Sequence, residues 1–411
     1  MHVSSATLSD ARLIAGIVIF IASYLVFAVG KFPGMKIDRP GAAIIGAVLM
    51  VAFRIVRAED ALKAVNFETI VLLFAMMLVV AHLRLLGFFE AIAEFVVERL
   101  GRKHLLPAVI ISTGVLSAFF VNDIICLVMV PIVLEVTRRM HVKPLPYLLA
   151  VATSSNIGSV ATITGNPQNI LIGSYSGISY VSFMAHLGPI AAVGLFIDWA
   201  VLHWLFPVSQ VQPAAIQEQR EPRQLRIVKP ALVVTGVILG FLVGLPPALV
   251  AAVGAAVMMI TRSMEPRLVY DEVDWGLLVF FVGLFIIVSG AERVGIVAGM
   301  LDVAQNWNLH NAAIFATVTG VMSNIVSNVP AVMLLKSVVP SFPDPHRGWL
   351  LLAMASTLAG NLTITGSIAN IIVVERARHE VEITFKDYLR AGVPVTILTL
   401  IVGTVWLSLI N

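Results

Sequence analysis

Apolar residues run along the chain in blocks of roughly twenty, each long enough to cross about 30 Å of hydrocarbon as a helix. They predict crossings near 11–30, 40–56, 66–86, 146–174, 186–206, 230–245, 247–263, 275–293, 348–374 and 390–410. Between the fifth and sixth lies a polar, charged segment, VQPAAIQEQREPRQLRIVK, which reads as a linker over 207–229. Two more apolar stretches, 105–137 and 310–341, carry polar patches in their middles: SAFFVND (Ser117–Asp123) and SNIVSNVP (Ser323–Pro330). A single helix would drag those groups through lipid unsatisfied. A hairpin that dips in and turns back under cover of protein would not, so both are read as re-entrant hairpins. Reading them as four full spans leaves the loop sides unchanged but fails on length and on the polarity of the turns. Two crossings are interrupted in their turn, at TITGNPQNILIG inside 146–174 and at TITGSIANIIV inside 348–374.

The two halves repeat each other. NFETIVLLFAMMLVVAHLRLLG aligns with DWGLLVFFVGLFIIVSGAERVG, placing Asn66 opposite Asp274 and Gly87 opposite Gly295. VLSAFFVN aligns with VMSNIVSN, and TITGNPQNILI with TITGSIANIIV. Such internal similarity defines an architecture before any local feature does. Each half holds three crossings, a hairpin that returns to its own side, a broken helix and a last crossing. Five crossings is an odd number, so residues 230–411 sit upside down relative to 1–206. The expected fold is an all-α polytopic membrane protein of two inverted-topology repeats, with about ten transmembrane helices, two re-entrant hairpins and two broken helices.

Composition agrees. The 411 residues are 59% hydrophobic and 12% charged, with mean hydropathy +0.95, where a soluble domain is about a quarter charged. Numbering sides by alternation puts 20 of the 27 Lys and Arg on the side of the linker. The positive-inside rule then makes the linker cytoplasmic and both termini periplasmic, and it accounts for the basic pI of about 9.1 without nucleic acid. MHVSSATLSDAR has an acid and no cationic n-region, so no cleaved signal is expected. The single Cys126 excludes a disulfide framework and a cysteine metal cluster; no metal or cofactor is expected. No zinc-hydrolase, nucleotide-loop or nucleophile-elbow motif is present, GSYSG (173–177) having Tyr where Ser is needed, so the chain is not read as an enzyme.

Inverted repeats with interrupted helices point to a midplane site, where half-helix N-termini offer N–H groups and unwound carbonyls hold cations. The candidate ligands are Ser117, Asn122 and Asp123 at the first tip and Ser323 and Asn328 at the second. The first break adds Asn156, Thr162, Thr164, Gly165, Asn166 and Asn169; the second adds Asn361, Thr363, Thr365, Gly366 and Asn370. Amides and hydroxyls both donate and accept, and Gly158, Gly165, Gly360 and Gly366 admit close backbone approach. Any one of these could simply pack helices; their placement at matching points of two repeats argues for a shared site, with Asn166 and Asn169 the groups expected to meet cargo. Asp123 is singled out as the carrier of a coupling proton or cation, because an ionisable group inside a membrane marks function by default. The alternative is that it caps the second hairpin helix. Asp198 and Lys336 rank lower, and Glu68, His82 and Glu135 fall near span ends. A channel also uses re-entrant loops, but paired breaks in inverted repeats favour alternating access.

SSNIGSVATITGNPQNILIG, FFVNDIICLVMVPIVLE, SNVPAVMLL and AGNLTITGSIANIIV together resemble the ion transporter superfamily over nearly the whole chain. That superfamily includes arsenite efflux permeases, NhaD-type sodium/proton antiporters and citrate and dicarboxylate carriers. FFVNDIICLVMVPIV is most similar to the arsenite/antimonite permease branch. The resemblance implies export of arsenite or antimonite across a bacterial inner membrane in exchange for protons. It also implies a scaffold and a transport part, often in a homodimer, and leaves open a cytoplasmic ATPase partner. Sodium/proton antiport or small-anion transport remain alternatives. Departures from the dicarboxylate carriers are the separation of Ser117 from Asn122, Ile325 after Ser323-Asn324, and Gln168 where a second Pro is usual. As(OH)3 is neutral at pH 7, so amides and hydroxyls suit it. One thiol cannot hold arsenic in its usual three-coordinate way, so Cys126 is read as a packing residue whose replacement by Ser leaves transport intact.

Overall fold

Each long apolar block closes its backbone hydrogen bonds within itself, as hydrocarbon requires, and the computed structural model has helices and no strand among its described residues. Those residues are 5–30, 36–89, 91, 104–207, 228–260 and 265–410. Most of the linker expected at 207–229 lies outside them. So do Lys31, Arg99, Arg102, Lys103, Arg220, Arg223, Arg226 and Arg262, eight of the basic residues counted on the linker's side.

The first half runs through α1 (Ser5–Val29), α2 (Arg39–Ala52), the short α3 (Ala58–Ala64) and α4 (Phe67–Leu85). A hairpin of α5 (Leu105–Phe119) and α6 (Asn122–Arg139) follows, then a broken helix of α7 (Leu145–Ser159) and α8 (Pro167–Ser176), and then α9 (Tyr180–Leu205). The second half repeats the order with α10 (Val228–Leu242), α11 (Pro247–Ile260), α12 (Pro266–Asp271), α13 (Trp275–Arg293) and α14 (Ile296–Asn306). Its hairpin is α15 (Ala312–Val326) and α16 (Asn328–Leu335), its broken helix α17 (Pro345–Leu358) and α18 (Ile368–Ala377), and α19 (Phe385–Leu409) ends it. Two repeats of inverted topology therefore build the chain, with hairpins and breaks where the polar patches interrupt the apolar runs. The short α3, α12 and α14 were not signalled, since six to eleven residues are too few to register as an apolar block.

By length and composition, α1, α4, α9, α13 and α19 can each cross a bilayer, while α2, α5, α10, α11 and α15 are apolar but shorter. The shorter helices are sheltered by pairing. α2 lies along α13 and α11 along α4, so each half lends a helix to the other and the four form an interlocked scaffold. Matching caps start α4 and α13: Asn66 accepts from the Thr69 N–H at 3.0 Å, and Asp274 from the Leu277 N–H at 2.9 Å. In the other part, α5 packs along α7, α15 along α17, and α9 along α19. A Cβ on Gly158 would fall on the Gly114 carbonyl, so α7 and α5 touch backbone to backbone.

Candidate transport site

The breaks are built by sequence rules acting twice. After α7 the chain leaves the helix at Val160 and makes one short 3-10 turn over Ile163–Gly165. It re-enters at Pro167, the first helical position of α8, where a missing N–H does no harm. Asn166 caps α8, accepting from the Asn169 N–H at 2.8 Å. Asn169 then clamps the opening: its amide nitrogen donates to the carbonyls of Ser159 and Thr162, both at 3.0 Å. Asn370 does the same in the second break, to Gly360 at 2.7 Å and Thr363 at 3.0 Å. The carbonyls freed by each break are thus satisfied by the Asn that follows it.

Each break also holds its own hairpin. Thr162 donates to the Ala118 carbonyl, and Thr363 to Asn324 Oδ1 at 3.2 Å, where Asn324 is the repeat counterpart of Ala118. Thr164 meets Tyr180 Oη at 2.9 Å. A Cβ on Gly165 would strike the Ser159 backbone, and one on Gly366 would meet Asn324 Oδ1 at 2.6 Å. Thr365 is exposed. Ser117 is buried, and its hydroxyl has no partner among the described residues.

The halves are tied by swapped bonds: Asn166 donates to Thr357 Oγ1 at 3.2 Å, and Ser367, its counterpart, to Asn156 Oδ1 at 3.0 Å. Asn156 is the hub. It accepts from Asn122 at 2.9 Å as well, and donates to Asn361 Oδ1 at 2.8 Å and Asn370 Oδ1 at 3.0 Å. At the second tip, Asn328, with its amide turned to satisfy its neighbours, donates to Ser323 Oγ at 2.6 Å and to the Gly366 carbonyl at 3.1 Å. Ser327, the turn of that hairpin, has φ +77° and ψ 158°, a region that costs a non-glycine residue about 1–3 kcal/mol.

Between these elements and the scaffold lies a cavity of about 190 Å³. Six helix starts surround it: Arg39 and Pro40 of α2, Asn122 and Asp123 of α6, Pro167 and Gln168 of α8, Asp274, Gly276 and Leu277 of α13, Ser327 to Val329 before and at α16, and Ser367 and Ile368 of α18. Three of these positive ends already have an answering carboxylate. Asp38 caps α2, Asp274 caps α13, and Asp123 faces the Ala369 N–H in the first turn of α18. The alternative reading of Asp123 is corrected here, since Val121 occupies the cap of α6 and no side chain caps that helix. Formal charges on the lining are one guanidinium, Arg39, against two carboxylates, Asp123 and Asp274.

Of the sixteen candidate residues, Asn122, Asp123 and Asn328 line the cavity, and Asn156 is one bond behind it. Asn166 and Asn169, expected to meet cargo, do not line this cavity. Asn166 caps α8 and donates to Ser159 and Thr357. Asn169 donates to the carbonyls of the break, while its Oδ1 is buried without a partner among the described residues. Cys126 is buried, donates to Ser155 Oγ at 3.1 Å and does not line the cavity.

Residues 24–359 match the family model described as citrate transporter, CitMHS. The chain belongs to the CitMHS citrate transporter family. Across 97% of its length it is 30% identical to the silicon efflux transporter LSI3 of Oryza sativa subsp. japonica, covering 98% of that protein. Across 90% it is 25% identical to a Dictyostelium discoideum protein provisionally named transporter arsB, covering 87% of it. The crystal structure of the Alcanivorax borkumensis YdaH transporter, whose topology is described as unusual, shares the fold with TM-score 0.57 at 12% identity, each chain covered to 97%. This CitMHS member is a secondary transporter and a multi-pass membrane protein. Sequence reasoning missed Arg39, Gln168, Asp274 and Ser367 in its cavity. In the sequence Arg39 is one of the 20 basic residues on the linker's side, and Asp274 aligns with Asn66. Asp274 caps α13 as its twin Asn66 caps α4, but the inversion puts the two caps on opposite sides, so the repeat alone could not place Asp274 in this cavity.

Proposed function

We propose that this family member exports a small neutral metalloid hydroxide, arsenite or antimonite, in exchange for protons by alternating access. The observation that carries the reading is the cavity's charge. With three helix starts answered by carboxylates and two carboxylates against one guanidinium, a trivalent anion such as citrate would face net repulsion, while uncharged M–OH groups find amides and hydroxyls that both donate and accept. Two relatives support this class, one named for silicon efflux and one arsB; silicic acid and arsenite are both neutral hydroxides near pH 7. Asp123, half-buried at the cavity wall and close to Asp274, is the group for proton exchange, its surroundings changing as the transport part moves. The cavity's lining includes Arg39 at the start of α2 and Asp274 at the start of α13, ends that alternation of the crossings assigns to the linker's side. In this reading that side is the cytoplasm of a bacterial inner membrane, from which an exporter loads.

Everted vesicles carrying the full chain, with an imposed pH gradient, test this. Arsenite or antimonite is expected to accumulate, with silicic acid as a third probe, and Asp123→Asn is expected to remove the gradient-driven part. Accumulation of citrate or sodium without any of the hydroxides would overturn the reading.

A further inference from the structure

A second acid lies away from the cavity. Asp198, on α9, is fully buried, and neither carboxylate oxygen accepts a hydrogen bond among the described residues. No ion pair among those residues includes it. A bare carboxylate in such surroundings costs several kcal/mol, so it must carry a proton or a cation that the described residues do not supply.

Its neighbours are unsatisfied too. α9 and α19 run past each other with Gly194 against Thr399 and Ile190 against Gly403, which brings Thr396 to the level of Asp198. Thr396 Oγ1 and Tyr388 Oη, both on α19, are buried and make no hydrogen bond among the described residues, with the Asn370 amide beside Tyr388 Oη. The Thr153 hydroxyl stands beside the acid but donates to the Leu149 carbonyl at 2.9 Å. The titratable groups on elements packed against α9 are Tyr388, Lys386, Asp387 and Arg390 of α19, Tyr147 of α7, His104 at the start of α5, Lys229 of α10, and His346 and Arg347 of α17. Of these, Tyr388 is the one that feels Asp198. No cluster of three His, Cys, Asp or Glu exists among the described residues. One carboxylate and three hydroxyls balance one positive charge, and a divalent ion would leave a buried excess.

The acid is also wired to the cavity. The Thr153 carbonyl accepts from Asn361 at 3.1 Å, Asn361 accepts from Asn156 at 2.8 Å, and Asn156 accepts from the cavity-lining Asn122 and Ser367. We propose that Asp198, with Thr153, Tyr388 and Thr396, is a monovalent-cation site, for a proton or sodium, coupled to the cargo cavity through Asn361 and Asn156. This goes beyond the cargo reading and does not depend on it.

Infrared difference spectra of the purified full chain test it without any cargo, in one titration of pH and one of sodium against choline at fixed pH. A carboxyl signal that Asp198→Asn removes is expected. Response to pH alone identifies the proton, and response to sodium identifies sodium. If Asp198→Asn does not fold, Tyr388→Phe and Asp198→Glu are expected to shift that signal rather than remove it. Identical wild-type and variant spectra in both titrations would overturn the proposal. Arsenite flux in vesicles serves as a separate readout, so a wrong cargo leaves the spectroscopic result standing.

Discussion

Asn156 shows how one side chain couples two halves. Its carboxamide makes two accepting and two donating bonds to Asn122, Ser367, Asn361 and Asn370, which is full use of the group. Removing it leaves four buried partners short, and each unpaired group costs about 1–3 kcal/mol. Asn156→Ala is therefore expected to lower thermal stability by at least ~2 kcal/mol and to abolish transport. Asn156→Asp separates shape from polarity: it keeps both accepting contacts but sets an oxygen against Asn361 Oδ1 and Asn370 Oδ1. Wild-type melting of Asn156→Asp in a thermal shift assay would mean the donated bonds contribute nothing. Residue types at this site were legible in the sequence; their division of labour was not. Asn166, Asn169 and Asn370 look alike in a string of letters, and only the direction in which the chain re-enters the helix shows that their amide nitrogens bond the breaks and the facing half.

At the scale of elements, polar interruptions in apolar runs gave hairpins and breaks within a few residues of their observed bounds, because a membrane leaves unsatisfied backbone no cheaper option. The sequence was silent on which element packs on which, since that depends on surface shape across the whole fold. The contact of α5 with α7 shows this. Gly158 had been read as admitting close approach, and the approaching group is the Gly114 carbonyl of a hairpin arm, so the glycine fixes where the hairpin sits. Gly158→Ala must push α5 away, at a cost of about 1–3 kcal/mol for overpacking. Gly236→Ala on α10, where a Cβ meets nothing within 4 Å, is the matched control and is expected to hold or gain up to ~1 kcal/mol from helix propensity. Melting temperatures of the pair in detergent check this, and equal losses would show that the close crossing is not what the glycine provides.

For the whole molecule, the inverted repeat relates one side of the membrane to the other, so under the proposed alternating access a difference between counterparts would report the state of the transporter. Opposite the open cavity, a second of about 150 Å³ is lined by Glu68, Thr69, Leu72, Ile170 and Ser174, with Pro246 and Pro247. Glu68, Thr69 and Leu72 are the counterparts of Gly276, Leu277 and Phe280 in the first cavity. This second space does not reach the hairpin tips. Ser174 on α8 latches the transport part to the scaffold there, bonding Thr69 Oγ1 at 2.9 Å and accepting from Asn66 at 3.1 Å. The counterpart of Ser174 is Glu375, which pairs with Arg378 instead and leaves Asp274 exposed. Two neutral bonds of about 1 kcal/mol each correspond to roughly 30-fold in the balance of states. Ser174→Ala should then favour opening on the side away from the linker by that order. In a Cys126→Ser background, Leu72→Cys reports it, since Leu72 is buried while the latch holds. An impermeant maleimide added from that side is expected to label Leu72→Cys roughly ten- to thirty-fold faster once Ser174 is Ala. A labelling rate unchanged by the substitution would mean that the latch does not hold the closed side, and that the asymmetry between Ser174 and Glu375 has no part in setting the state.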